Sequence, residues 1–479
     1  MPRKHTRGTT LEALAGKAFS RVTDANRSDG NAVRLLRDGE QNYPAWLEAI
    51  AGARQHIHLE NYILENDKIG RGFAEALIGA AKRGVAVRVL YDWFGCRSRT
   101  PRRFWRRLRR AGVEVRSYNP PRWDSPLGWI SRDHRKTLCV DATVAFTGGL
   151  CIGHDWVGNP KRNVRAWRDT GIEVRGPGVH DLETAFADSW AATGTPVPAL
   201  ELPKEEDIPR AGELGLWVVA GRPESRGLYR LEQLVADSAE ESLWIADAYF
   251  VATSGYVRAL SGAVRDGVDV RLLVPGSNNF PVVQALSRAG YRPLLEAGVR
   301  VFEWNGPMMH AKTAVADGCW ARVGSSNSNL ASWISNRELD VVIQDVDFAE
   351  QMEAMFEQDL TDATEIVLSA NRVRASAKVR RRRRRGSRTG SAGRFVAGAA
   401  GLGSAVGAVL SQHRALGHTE ARVLVAIGVF LTALALCGVL APGLLAYPAA
   451  FLAAWIAGTL FFRAWKLHAS ADNPRRRRK

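Results

Sequence analysis

The chain has 479 residues, 46% of them hydrophobic, with 66 Lys+Arg against 49 Asp+Glu and a formal net charge of +17. The excess sits at one end: residues 371–479 hold 20 basic and 2 acidic side chains, whereas residues 1–370 hold 46 and 47. A uniformly basic surface is therefore excluded, and the net charge alone is no sign of nucleic acid.

In chain order, residues 1–32 read as an N-terminal extension with basic residues but no apolar run of the secretory-signal kind. Residues 33–205 carry an alternating pattern. Ile57–Ile63 reads as a strand, Arg71–Lys82 as a helix with Phe73, Leu77, Ala80 and Ala81 on one face, and Val85–Tyr91 as a strand. Arg102–Ala111 reads as a helix and Val113–Tyr118 as a strand. In the helix, Phe104, Trp105 and Leu108 lie on one side and six arginines on the other, which suits packing or contact with anionic lipid.

A Pro- and charge-rich connector near Pro196–Arg210 leads into residues 206–370, where the pattern returns. Lys82-Arg-Gly-Val-Ala-Val-Arg-Val-Leu90 is echoed by Arg265-Asp-Gly-Val-Asp-Val-Arg-Leu-Leu273, and Ala111-Gly-Val-Glu-Val115 by Ala297-Gly-Val-Arg-Val301. Apolar runs ending near Tyr62 and Tyr249 open the two copies. Strands alternating with helices imply parallel-type α/β sheets, so the fold class is α/β with a tandem duplication and a site between the copies.

The copies share one motif. His134-x-Lys136-x4-Asp141 is followed by Gly148-Gly149 and Cys151; His310-x-Lys312-x4-Asp317 by Gly324-Ser325 and Asn327, at the same spacings. With 11 lysines and 10 histidines in the chain, one chance match is about a one-in-a-hundred event and two are far rarer. Residues i and i+2 of a strand share a face, so each His points with its Lys. Two imidazoles in one cleft can supply a nucleophile and a general acid, and two lysines can neutralise a phosphoryl centre. No Asp/Glu/His cluster shows metal-ligand spacing, so neither metal nor other cofactor is expected.

The doubled H-x-K-x4-D resembles the signature of the phospholipase D superfamily. The likeness spans about residues 33–368, and Glu60-Asn-Tyr62, Asp92, Tyr249-Phe250 and Val274-Pro-Gly276 are similar to bacterial cardiolipin synthases. The resemblance implies that His134 forms a phosphohistidine and His310 acts as general acid. It also implies that Lys136, Lys312, Ser325 and Asn327 bind phosphoryl oxygens. In that family an acid farther along the chain holds each ring; Asp169 after His134 and Glu338 after His310 stand in that place. Asp141 and Asp317 belong to the motif as supports of the site. Cys151 departs from the family, standing where the first motif often has Asn.

The implied activity is transfer of a phosphatidyl group from phosphatidylglycerol or a similar phospholipid to a lipid or glycerol hydroxyl. Hydrolysis to phosphatidic acid uses the same residues. A nucleic-acid phosphodiesterase is disfavoured by the near-neutral charge balance before the basic tail, and a non-catalytic scaffold by two intact motifs.

Residues 371–421 read as a basic linker with Arg380–Arg385 and a Gly/Ala-rich segment, Phe395–Leu410, suited to a membrane surface. Residues 422–465 read as a transmembrane hairpin. Val423–Leu440 and Leu444–Phe462 are charge-free and long enough to span a hydrocarbon core of roughly 30 Å, with Ala441-Pro442-Gly443 between them and Tyr447, Trp455 and Trp465 as interface anchors. Both flanks are basic, and residues 466–479 form a basic tail. The expected setting is a bacterial inner membrane with the catalytic halves, the flanks and the tail on the cytoplasmic side. The five cysteines form no C-x-x-C pair and fit a reducing compartment.

Overall fold

The computed structural model describes residues 18–121, 131–159, 161, 163–251, 253–279, 281–368, 429, 432 and 436–471. The linker with Arg380–Arg385, the segment 395–410, most of the apolar run 423–440 and residues 472–479 lie outside the described residues.

The first half supplies β1 (Arg27–Arg37), β2 (His56–Asn61), β3 (Ala86–Asp92), β4 (Glu114–Tyr118), β5 (Lys136–Val140), β6 (Val144–Gly148) and β7 (Thr170–Arg175). The second supplies β8 (Leu214–Gly221), β9 (Ser242–Ala246), β10 (Asp269–Pro275), β11 (Arg300–Trp304), β12 (Thr313–Ala316), β13 (Trp320–Gly324), β14 (Glu338–Gln344) and β15 (Ala363–Ile366). All join one sheet in the order 15-11-10-9-12-13-14-8-1-7-6-5-2-3-4. Apart from β15 at one edge, the order reads the same outward from its middle, where β1 and β8 pair antiparallel through Ser28 and Leu216. The duplication is thus a symmetric sheet with its seam at β1/β8. β1 and a short helix, Ala18–Thr23, begin before residue 33, so part of the expected extension belongs to the fold.

The sheet is mixed. Only β2-β3-β4 and β9-β10-β11 run parallel, the segments joined by helices. The motif strands reverse in tight hairpins, β5-β6 and β12-β13, which makes the middle antiparallel.

Local chemistry explains the covering helices. Lys68–Lys82 is capped by Asp67, whose carboxylate accepts the Gly70 N–H at 2.7 Å. Phe73, Ala74, Leu77 and Ile78 recur at helical spacing and are buried, each large side chain contributing about 2 kcal/mol. The helix stops where Gly84 takes φ +92°, a region that favours glycine. Arg102–Arg110 buries Phe104, Trp105 and Leu108 and stacks Trp105 on Tyr91 at 3.8 Å. Separate apolar clusters serve the two halves, and a further one draws on both, with Ile172, Val174 and Leu182 from the first and Leu339, Val341 and Met352 from the second.

Asp141 and Asp317 form the motif turns, with φ of +52° and +50°. The Asp141 carboxylate accepts the backbone N–H groups of Arg54, Gln55 and His56 at 2.7–2.8 Å. Asp317 accepts those of Glu240, Glu241 and Ser242 at 2.8–2.9 Å. Each ties its hairpin to the start of the neighbouring strand, β2 or β9.

In the C-terminal part the chain is helical at 436–440, breaks at Ala441 and restarts as Pro442–Ala471. Proline suits the first turn of a helix, so the helix restarts at Pro442 itself. Within it, Pro442–Thr459 is long and apolar enough to cross a membrane.

Three charge-assisted hydrogen bonds converge on Asp317, so Asp317→Ala should cost about 3 kcal/mol and lower the apparent Tm by about 5 °C. A melting curve tests this, and an unchanged Tm would remove the anchoring role.

Candidate active site

Each motif histidine sits just ahead of its strand, since β5 begins at Lys136 and β12 at Thr313. Both are held by the opposite half. The His134 N–H donates to the Arg337 carbonyl at 2.9 Å and the His310 N–H to the Arg168 carbonyl at 2.7 Å. The residue after each arginine is an acid. His134 Nδ1 lies 2.9 Å from Glu338 Oε2, and His310 Nδ1 lies 2.7 Å from Asp169 Oδ2. The partners are therefore exchanged relative to chain order: the acid that follows each histidine serves the other copy's ring. Each carboxylate accepts a hydrogen bond from Nδ1–H and leaves Nε2 for the cavity.

The lysines lie beneath. Lys136 Nζ donates to the His134 carbonyl and stands 5.2 Å from the Tyr62 ring; Lys312 Nζ donates to the His310 carbonyl and stands 5.8 Å from the Tyr249 ring. The same tyrosines meet the histidines edge-on, at 4.9 Å for Tyr62–His134 and 6.1 Å for Tyr249–His310. Both lysines are fully buried.

A cavity of about 880 Å³ collects His134, His310, Tyr62, Tyr249, Asn327 and Cys151 on its walls. Asn327 Oδ1 has no hydrogen-bond partner among the described residues. Cys151 is buried, and burial raises its thiol pKa, so it packs as a thiol. Asp141 and Asp317 are not on the walls; their carboxylates are spent on the turns described above. Ser325 also departs from expectation. Its hydroxyl donates to Glu338 Oε2 at 2.6 Å and accepts the Leu339 N–H at 2.9 Å, so it positions Glu338 instead of facing a phosphoryl group.

The electrostatics follow from burial. Burial favours neutral imidazoles, and Lys312 reinforces this at His310, whose pKa falls to about 3. His134 is lowered by burial and Lys136 against the pull of Glu338. Burial would raise Asp169 and Glu338, but the facing imidazoles and the lysines overcome it and hold both carboxyls below the usual range. Burial, reinforced by nearby Lys136, brings Lys312 down to about 8 despite Asp169. A phosphodiester anion complements such a pair of buried cations.

The family model described as "Cardiolipin synthase, PLD-like domain" matches twice, over residues 46–163 and 235–360. The chain belongs to the phospholipase D superfamily. It is 34% identical over 337 residues to a cardiolipin synthase of Geobacillus sp. (strain WCH70), covering 70% of this chain and 67% of that one. It is also 34% identical over 358 residues to cardiolipin synthase A of Pseudomonas aeruginosa (strain LESB58), covering 73% and 71%. The solved phosphatidylserine synthase of Haemophilus influenzae Rd KW20 shares the fold at 15% identity, with a TM-score of 0.57 over 70% of this chain and 87% of that one.

This phospholipase D superfamily enzyme also carries two clusters of potential metal ligands among the described residues. His56 Nε2 and His58 Nδ1 lie 2.8 and 2.5 Å from the two oxygens of Glu183. Arg88 lies 3.3 Å from His58 Nε2 and can only donate, so the proton of that ring is on Nδ1 and faces Glu183. A metal would need Nδ1 free, so the cluster fits a hydrogen-bond network better. In Glu65, Asp67 and His154, Glu65 is paired with Arg99 and Asp67 caps its helix.

Sequence reading missed Trp156. Its indole N–H donates at 2.7 Å to Asp169 Oδ2, the oxygen that receives His310, and its ring meets the imidazole edge-on at 5.4 Å. Gly149 matters for the same reason, because a Cβ there would stand 2.0 Å from Asp169 Oδ1. Gly149 belongs to the repeated motif, but nothing in the residue pattern marks Trp156 or shows that both act through Asp169.

Trp156→Phe keeps the ring and removes the donor. We expect kcat to fall about tenfold, as for other positioning partners, with KM little changed; steady-state kinetics test it, and a full-rate variant would contradict it. Lysine is charged below its pKa, so the Lys312 contribution is lost as pH rises through about 8. We expect kcat/KM to fall above that pH and Lys312→Arg to move the fall upward. An unmoved limb would assign it to another group.

Proposed function

We propose that this enzyme is a membrane-bound phosphatidyltransferase of the cardiolipin synthase type. The observation that carries the reading is one cavity walled by two imidazoles, each hydrogen-bonded through Nδ1 to a buried carboxylate, over two buried lysines. The relatives named cardiolipin synthase support the substrate class.

His134 Nε2 attacks the phosphorus of phosphatidylglycerol, and the glycerol oxygen leaves with a proton from His310. Burial keeps His310 neutral until the phosphodiester anion is seated, and Asp169 then stabilises the imidazolium. The hydroxyl of a second phosphatidylglycerol gives its proton to His310 and attacks the phosphohistidine, releasing His134 and forming cardiolipin. Lys136 and Lys312 hold the developing charge, and the Asn327 side chain orients the phosphoryl oxygens. The helix Pro442–Ala471, apolar over Pro442–Thr459, forms the membrane hairpin with the run before it, and the catalytic halves stand on the cytoplasmic side.

The test incubates the detergent-solubilised full chain with labelled phosphatidylglycerol. Cardiolipin and glycerol should form in equal amounts, and His134→Ala or His310→Ala should lower the rate at least about 10⁴-fold, the scale set by losing an essential nucleophile or acid. Phosphatidic acid alone would assign hydrolysis. Full turnover in either alanine variant would refute the site.

A further inference from the structure

Among the described residues up to Leu368, seven large apolar side chains are exposed. Two of them line the cavity, and two more lie on a loop between residues of its wall. Phe94 (47% exposed) and Leu330 (50%) stand on its wall, one from each half. Val157 (40%) and Val164 (49%) lie on the loop between Trp156 and Trp167, both wall residues. Asn159 and Val164 on that loop exchange reciprocal backbone hydrogen bonds of 2.7 and 3.0 Å. Apolar side chains from separate segments around one opening are more than the scatter of a soluble surface.

The helix that follows the wall segment carries charge of one sign. The Phe94–Arg99 segment of the wall leads through Thr100 and Pro101 into helix Arg102–Arg110, which has six arginines and no acid. Arg107 is paired with Glu75, and Arg109 donates to the Val115 carbonyl. Arg102, Arg103, Arg106 and Arg110 are exposed and have no acidic partner among the described residues. The helix buries its apolar side inside the protein, so the arginines are its outward face.

We propose that the cavity mouth docks onto an anionic lipid bilayer, with Phe94, Val157, Val164 and Leu330 entering the acyl boundary and the Arg102–Arg110 helix against the headgroups. Apolar residues ringed by arginine fit the bilayer interface, where chains and phosphates lie close together. A lipid then passes from the bilayer into the cavity without crossing water. The inference rests on the reading of the cavity as a phospholipid site, but its test needs no turnover.

The full chain is reconstituted in vesicles of phosphatidylethanolamine and phosphatidylglycerol, with the photoreactive residue benzoylphenylalanine at position 94, 164 or 330. Position 346, an exposed valine away from the mouth, is the control. We expect acyl-chain adducts at 94, 164 and 330 and background at 346. Replacing Arg102, Arg103, Arg106 and Arg110 together by Gln should lower the adduct at 330 more than about fivefold, the equivalent of one such charge at about 1 kcal/mol. Phosphatidylcholine vesicles should lower it likewise. Adduct yields at the three positions equal to that at 346, yields indifferent to the arginines and to lipid charge, or adducts to a second copy of the chain would each overturn the docking. Loss of turnover with the adduct pattern intact would count against the proposed activity alone.

Discussion

Two imidazole–carboxylate pairs that cross from one half of the chain to the other hold this structure to its function. Each histidine depends on the opposite copy twice, through its backbone N–H on a carbonyl beside the acid and through its ring on the acid itself. Neither copy alone has a held histidine. The continuous sheet, the β1/β8 seam and the shared apolar cluster follow as the scaffold that keeps the two crossings in register. A carboxylate on Nδ1 fixes the tautomer and stabilises the cation when it forms, so the crossing is also where fold becomes chemistry.

Burying two lysines side by side is costly unless something compensates. Here the compensation is partial: carbonyl oxygens, tyrosine faces and two carboxylates held in their charged form. The depressed pKa of Lys312 registers the remaining deficit. On the proposed function, a phosphodiester anion completes the balance. The net charge of +17 has little to do with this. It resides in the tail that begins at Asn371, while residues 1–370 are close to neutral.

Much of this was legible in the residues. The doubled motif marks both histidines and both lysines, and periodicity finds β2, β3, β4 and the helices between them to within a few residues. Asp141 and Asp317 recur at the same spacing as the motif histidines and lysines, yet they are turn anchors, because spacing reports common ancestry of a hairpin as readily as common chemistry. The exchange of Asp169 and Glu338 was hidden because pairing across copies leaves no sequence interval to read. Ser325 and Trp156 were misread or missed for a related reason: their roles are defined by a carboxylate and not by the motif. The mixed sheet was mistaken for a parallel one because the hairpins that reverse it lie inside the motif.

The most direct test of the crossing is ring titration by NMR on the histidine-labelled full chain. In Asp169→Asn, the imidazolium of His310 loses its counter-charge, so the His310 pKa should move further down while that of His134 stays; Glu338→Gln should do the reverse. A shift of His134 in Asp169→Asn with His310 unmoved would place each acid with its own copy's histidine and contradict the account.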